Sequence, residues 1–249
     1  MENNQFNIKD YFKSIPVLDK GYVELIDGMV TDPRLKIVNA ARVSFNKESK
    51  EVSDKDVKLI NFLKEHGHLS TFRHSHFTFR IKAPLCVFRQ WWKYQVGSEW
   101  MEDECPSSAG SIELPSTSWN EASGRYVEFE PEFYIPETIR KQSKNNKQGS
   151  EGKLEGPVGP HANAVDFFKS ECANQYGAYK ILVAAGGAKE QARMLLPQNI
   201  YSECILTQSL QSVLFFLEQR LKEDAQWEIR QYAIAIKDLI EPMFINVKL

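Results

Sequence analysis

The chain has 249 residues, 42 % hydrophobic and 26 % charged, the profile of a globular protein with enough apolar surface for one large domain or two small ones. Its 31 basic and 33 acidic side chains give a formal net charge of -2, which argues against a protein that tracks a nucleic-acid backbone. No apolar run approaches the roughly 18 residues needed to cross a bilayer. The N-terminal Met1-Glu2-Asn3-Asn4-Gln5 lacks the charged-then-apolar design of a secretion signal, so the expected setting is cytoplasmic.

In chain order, the segment to about Tyr11 reads as polar and loose, and Tyr22 to Asp27 alternates as a strand. Asp32-Pro33 opens a helix carrying Leu35, Val38 and Ala41, with proline where its missing N–H costs nothing. Ser53 followed by Asp56 resembles a capping arrangement, and Val57, Leu59, Ile60 and Leu63 behind it form a helical stripe that ends at Gly67. His74 to Ala83 alternates as a second strand, Pro84 stops it, and Leu85 to Tyr94 reads as a helix. Glu99 to Ser116 is a loop of acids, serines and prolines. Lys141 to Pro160 is a second polar interruption, read as an excursion and not a domain linker. Helices then follow over Val165 to Val183 and Lys189 to Leu196, the latter stopped by Pro197. Leu206, Leu210, Val213, Leu214, Leu217 and Leu221 form one apolar helical stripe, and a last helix runs from about Asp224 to Ile240. Strands early and helices late make a single α+β domain over residues 1–249. A mixed or antiparallel sheet is expected in its N-terminal half, and helices in its C-terminal half.

The run Trp119-Asn120-Glu121-Ala122-Ser123-Gly124-Arg125-Tyr126 has no apolar period of either kind. Its residue types suit an anionic, hydrogen-bonding small molecule. Arg125 can fork onto a phosphate, Gly124 admits close backbone approach, and Ser123 and Asn120 are short polar groups. Read alone, the same composition also describes a polar surface turn. Gln90, Arg193 at a helix end and Arg220 at the end of an apolar helix could join Arg125 in an anion-binding cluster, although each singly reads as a surface ion pair. His66, His68, His74 and His76 lie close in sequence but lack cysteine or carboxylate at ligand spacing, so no metal site is expected. The four cysteines show no paired close spacing, and Cys105, among three acids, reads as an ordinary loop thiol and not a nucleophile.

Taken together, these segments resemble the flavin-dependent thymidylate synthases. The likeness runs through Ala40-Ala41-Arg42-Val43-Ser44-Phe45, His66-Gly67-His68, Arg89-Gln90-Trp91, Asn120 to Tyr126, Phe133-Tyr134-Ile135-Pro136, Arg193-Met194-Leu195-Leu196-Pro197 and Ala225-Gln226-Trp227-Glu228-Ile229-Arg230. The resemblance implies the thymidylate synthase-complementing protein fold, a homotetramer with active sites shared between subunits, and reductive methylation of dUMP to dTMP. FAD is the implied cofactor, with NADPH as reductant and methylenetetrahydrofolate as carbon donor. By that pattern Gln90, Lys93, Glu121, Ser123, Gly124, Arg125, Arg193 and Arg220 would hold dUMP, with Arg220 stabilising charge as the uracil N3 ionises. Ser44, Ser70, Lys93, Tyr94, Gln95, Glu121 and Ser209 would face flavin, with Tyr94 able to stack on its ring.

The chain also departs from the family pattern. Lys93-Tyr94-Gln95 stands where the family carries Arg-His-Arg, Arg73 where it usually carries glutamate, and Ser209 and Phe215 where it carries asparagines. Two other readings follow from the altered triplet. One is a related pyrimidine-nucleotide hydroxymethylase; the other is a nucleotide-binding homologue that has lost flavin.

Overall fold

The computed structural model describes residues 6–94 and 118–248. Gln95, Cys105 and the loop from Glu99 to Ser116 lie outside them. Strands β1 (Ser14–Val17) and β2 (Gly21–Gly28) form a hairpin. Helix α1 (Pro33–Arg42) follows, with Asp32 accepting from the Arg34 N–H at 2.9 Å and Pro33 opening the helix as its sequence dictates. In α2 (Asp54–Glu65) the capping pair is realised, with Asp56 accepting from the Ser53 N–H at 2.9 Å and its Oγ at 2.6 Å. A 3-10 turn, Leu69–His74, leads into β3 (His76–Pro84), then α3 (Leu85–Trp91) and a 3-10 turn, Trp92–Tyr94. Beyond the undescribed stretch come β4 (Trp119–Glu121), the small hairpin β5 (Lys141–Gln142) and β6 (Ser150–Glu151), α4 (Ala164–Ala184) and α5 (Lys189–Ala192). Strand β7 (Tyr201–Ser209) then runs directly into α6 (Leu210–Arg220), and α7 (Trp227–Ile240) follows.

The main sheet has the order β1-β2-β3-β7-β4, and every pair in it is antiparallel. The period of two puts Phe77, Phe79, Ile81 and Ala83 of β3 on one face, level with Gln208, Leu206, Cys204 and Ser202 of β7. All eight are buried, and the core continues into α6 and α7 through Val213, Phe216, Leu217, Ile229, Tyr232 and Ile236. A smaller cluster of Tyr179, Ala192, Leu196 and Ile200 ties α4 to the turn at Arg193–Leu195.

The α+β architecture matches the sequence expectation, and four local expectations need correction. Leu206 belongs to strand β7, not to the helical stripe. Its i, i+4 spacing to Leu210 mimics a helix, while Ser202 and Gln208 break the apolar alternation that would have marked a strand. Their polarity is tolerated because bonds are made inside; Gln208 Nε2 donates to Ser212 Oγ at 3.1 Å. Trp119–Glu121, read as part of an irregular run, is a short edge strand on β7. The N-terminal segment is less loose than its polarity suggested, since Ile8 is buried and Phe6 stacks on Tyr11 at 5.6 Å. The interruption over 141–160 contains the β5–β6 hairpin.

Candidate active site

β4 places Glu121 level with Cys204, on the helix-covered face of the sheet. Trp119, two residues earlier on the same face, packs edge-on against Phe88 with ring centroids 5.2 Å apart, and its Nε1 donates to Glu121 Oε2 at 3.2 Å. One side of Glu121 is open to solvent. The protein around the rest still pushes its carboxyl above the ordinary range, against the Trp119 bond and the positive charges of Arg89 and Arg193.

The chain then turns through Ser123-Gly124-Arg125. Gly124 has φ +66°, and a Cβ there would sit 2.3 Å from the Phe129 ring, so both backbone shape and space require glycine. Phe129 is held in turn by Tyr176, whose hydroxyl donates to the Phe129 carbonyl at 3.0 Å. Arg193 closes the turn from the other side, its Nη1 donating to the Ser123 carbonyl. It can do so because its neighbours Ala192 and Leu196 are anchored in the small apolar cluster. Arg125 is exposed, with its guanidinium 5.7 Å from the Tyr126 ring centre. Glu121, Ser123, Gly124 and Arg125 together line a cavity of about 580 Å³, with Lys82 and Glu203 on its sheet side. Four residues singled out from sequence thus share one concave surface.

Gln90, on α3, donates from Nε2 to Gln226 Oε1 and, at 3.4 Å, to the Cys86 carbonyl. Lys93 is exposed. Tyr94 packs on α6: its ring lies 5.8 Å from Phe215 and 6.2 Å from Phe216, and its carbonyl accepts from Ser212 Oγ at 2.8 Å. The Arg220 guanidinium sits over the Tyr94 ring at 4.7 Å. Arg220 Nε is buried and has no hydrogen-bond partner among the described residues. The Tyr94 ring, expected from sequence to be able to stack on flavin, is engaged here by the helix that carries Arg220.

Of the other residues assigned to flavin, Ser44 and Ser70 are exposed on 3-10 turns. The Ser70 turn packs against both α1 and α6, and Arg73 Nε donates to Gln211 Oε1 at 2.6 Å across the second contact. Exposed hydroxyls at Ser44 and Ser70 with the Lys93 ammonium fit a phosphate-bearing, hydrogen-bonding cofactor such as FAD. Ser209 is wholly buried, and its Oγ accepts from the Ser212 N–H at 3.2 Å, capping the start of α6. Gln95 lies outside the described residues. Ser209 and Cys204 are five positions apart in β7, about 17 Å along the strand. Within one chain the Ser70 turn therefore lies near one end of β7, and the Glu121 to Arg125 turn near the other.

The described cysteines offer no ready nucleophile. Burial raises the thiol pKa of Cys86, Cys172 and Cys204, and for Cys204 the charges of Glu121 and Glu203 add to it. Among the described residues no group of three or more His, Cys, Asp or Glu side chains could hold a metal ion, and His66 instead stacks on Phe62 at 4.1 Å. No helix among them is long and apolar enough to cross a membrane.

Sequence reading assigned no role to Arg89, Arg140, Gln226 or Glu228. A signal for Glu228 was present. It lies four residues before Tyr232 on the apolar stripe of α7, where a carboxylate needs a buried partner.

The family described as Thymidylate synthase complementing protein matches residues 24–244. A flavin-dependent thymidylate synthase of Thermus thermophilus is 42 % identical over 228 residues, covering 92 % of this chain and 74 % of that protein. One from Thermosipho africanus is 38 % identical over 225 residues, covering 90 % and 88 %. The crystal structure of a UMP/dUMP methylase PolB from Streptomyces cacaoi bound with 5-Br dUMP shares the fold, with a TM-score of 0.65 at 22 % identity over 94 % of this chain and 98 % of that one. The chain belongs to the thymidylate synthase complementing protein family, that of the flavin-dependent thymidylate synthases.

Proposed function

We propose that the chain carries out the flavin-dependent conversion of dUMP to dTMP, with the turn from Glu121 to Arg125, Gln90 and Arg193 gripping the nucleotide. The observation that carries the residue assignment is the cavity formed by Glu121, Ser123, Gly124 and Arg125, closed by Arg193 on the Ser123 carbonyl. Arg125 presents a guanidinium to solvent, the right donor for a 5′-phosphate. Lys93, also exposed, supplies a second positive charge without a fork.

Arg220 is assigned to the pyrimidine. A guanidinium keeps its charge at every working pH, so it lowers the cost of an anionic ring as N3 loses its proton. The Tyr94 face holds it in place, and its buried Nε has no hydrogen-bond partner among the described residues. FAD, when bound, supplies the electron pair that completes the methyl group, with methylenetetrahydrofolate as carbon donor and NADPH as reductant. The protein's own part is to orient the nucleotide, exclude water and stabilise charge. No thiol is asked to attack the ring, in keeping with the raised pKa values of the described cysteines.

A homotetramer with shared sites fits two features. The Ser70 and Glu121 regions lie toward opposite ends of β7, an arrangement that suits a site drawing on them from different copies. Apolar residues Phe167, Ile181 and Leu182 of α4, and Met194 beyond it, are also exposed on the single chain. The deciding experiment incubates flavin-loaded protein with dUMP, methylenetetrahydrofolate and NADPH and weighs the product. The mass of dTMP is expected, and a hydroxymethyl product would overturn the assignment. Arg220→Ala should lower turnover about 100-fold or more with an unchanged melting temperature; near-normal turnover would remove Arg220 from its role.

A further inference from the structure

Glu228, in the first turn of α7, is buried at 5 % exposure and is the hub of a polar network that no assigned step uses. Arg140 donates through Nη2 to both of its oxygens at 2.9 Å. The Tyr134 hydroxyl donates to Oε1 at 3.2 Å, and Gln226 Nε2 donates to Oε2 at 2.9 Å. Gln226 in turn accepts at Oε1 from Gln90 Nε2.

The direction of these bonds is forced. A carboxylate paired with a guanidinium only accepts, so Gln226 must turn its NH₂ toward Glu228. Its carbonyl oxygen then faces Gln90 and can only accept, so Gln90 must turn its own NH₂ toward Gln226. The second Nε2 hydrogen of Gln90 is directed at the Cys86 carbonyl. What remains of the Gln90 amide is Oε1, an acceptor. Without a charged group at the start of the relay, both amides could reverse together at little cost.

We propose that Glu228 is a positioning residue for nucleotide binding. Acting through Gln226, it fixes the amide of Gln90 so that a carbonyl oxygen, and not an NH₂, is offered to the substrate. Gln90 then selects an N–H or O–H donor on the nucleotide and rejects an acceptor at the same place. This rests on the reading of Gln90 as a nucleotide contact.

The test measures dUMP dissociation constants by calorimetry on flavin-loaded enzyme, with a thermal melt of each variant. Glu228→Gln can donate as well as accept, so it releases the relay and should weaken dUMP binding about tenfold. Gln226→Leu, at an exposed position, leaves the Arg140–Glu228 pair intact and should weaken binding by a similar factor with little change in melting temperature. The double variant Gln226→Glu/Glu228→Gln restores the direction of the relay, because a carboxylate at 226 again accepts from Gln90. It should recover most of the affinity, which a merely structural role at the Arg140 pair would not produce. Wild-type affinity in Gln226→Leu, or a double variant no tighter than Glu228→Gln, would overturn the relay. If Glu228→Gln fails to fold, Gln226→Leu alone decides. Wild-type affinity in Gln90→Leu would instead overturn the reading of Gln90 as a contact.

Discussion

At Gly124 two independent constraints meet, a left-handed φ of +66° and the Phe129 ring where a Cβ would lie. Relief of one leaves the other in force. Gly124→Ala is expected to cost more than about 1 kcal/mol and to weaken dUMP binding, because the Ser123 carbonyl and Arg125 move with the backbone. A thermal melt and a dUMP titration check this, and unchanged values in both would show that the turn adapts freely. Sequence supplied the residue types of this turn: a glycine, an arginine and small polar groups. It could not supply Phe129 as the reason for the glycine, because no period marks how the chain folds back over those five residues, or Arg193 as the clamp, because it is remote in sequence.

Helix α2 shows how a capping pair becomes a pH-dependent anchor. Burial by itself would raise the Asp56 pKa; hydrogen bonds from Ser53, the charge of Arg42 and a bond from Ser49 outweigh it, leaving the value below normal. A carboxyl with a depressed folded-state pKa contributes stability that is present above its unfolded value. That contribution is lost as pH falls through the folded value. Asp56→Asn should therefore lower stability by about 1–3 kcal/mol at neutral pH. It should also flatten the loss of stability in acid, below the ordinary aspartate range, and denaturant melts across pH would reveal both effects. The consequence reaches the site because Arg42 ends α1 directly before the turn holding Ser44. Helix α6 links elements in the same way: Ser209 caps its start, Arg220 ends it, and Tyr94 packs along it.

At the scale of the whole molecule, α4 has 21 residues, yet only Ala164, Cys172 and Tyr179 among them are buried. Ile181 is 73 % exposed and Met194 78 %, apolar surface that a second copy of the chain would cover. Sedimentation at four times the 28.7 kDa chain mass is expected. Ile181→Asp should shift the protein toward smaller species and lower activity at dilute concentration. A variant that keeps the native sedimentation profile would place the interface elsewhere.

The amino-acid pattern alone determined the α+β class, the caps of α1 and α2, the extent of α4 within a residue at each end, and the aperiodic, polar character of the turn at Ser123–Arg125. Each of these is written in local spacing or in residue chemistry. Tertiary structure alone decided the place of β7, whose inward positions include Ser202 and Gln208 and whose last apolar residue matches a helical repeat. Only its pairing with β3 and β4 identifies it as a central strand. It also decided that Ser209 caps α6 from within the core, that Arg220 rests on Tyr94, and that Glu228 reaches Gln90 through Gln226. Bond direction and burial depend on neighbours that the chain brings together only when it folds, and no periodicity in the sequence encodes them.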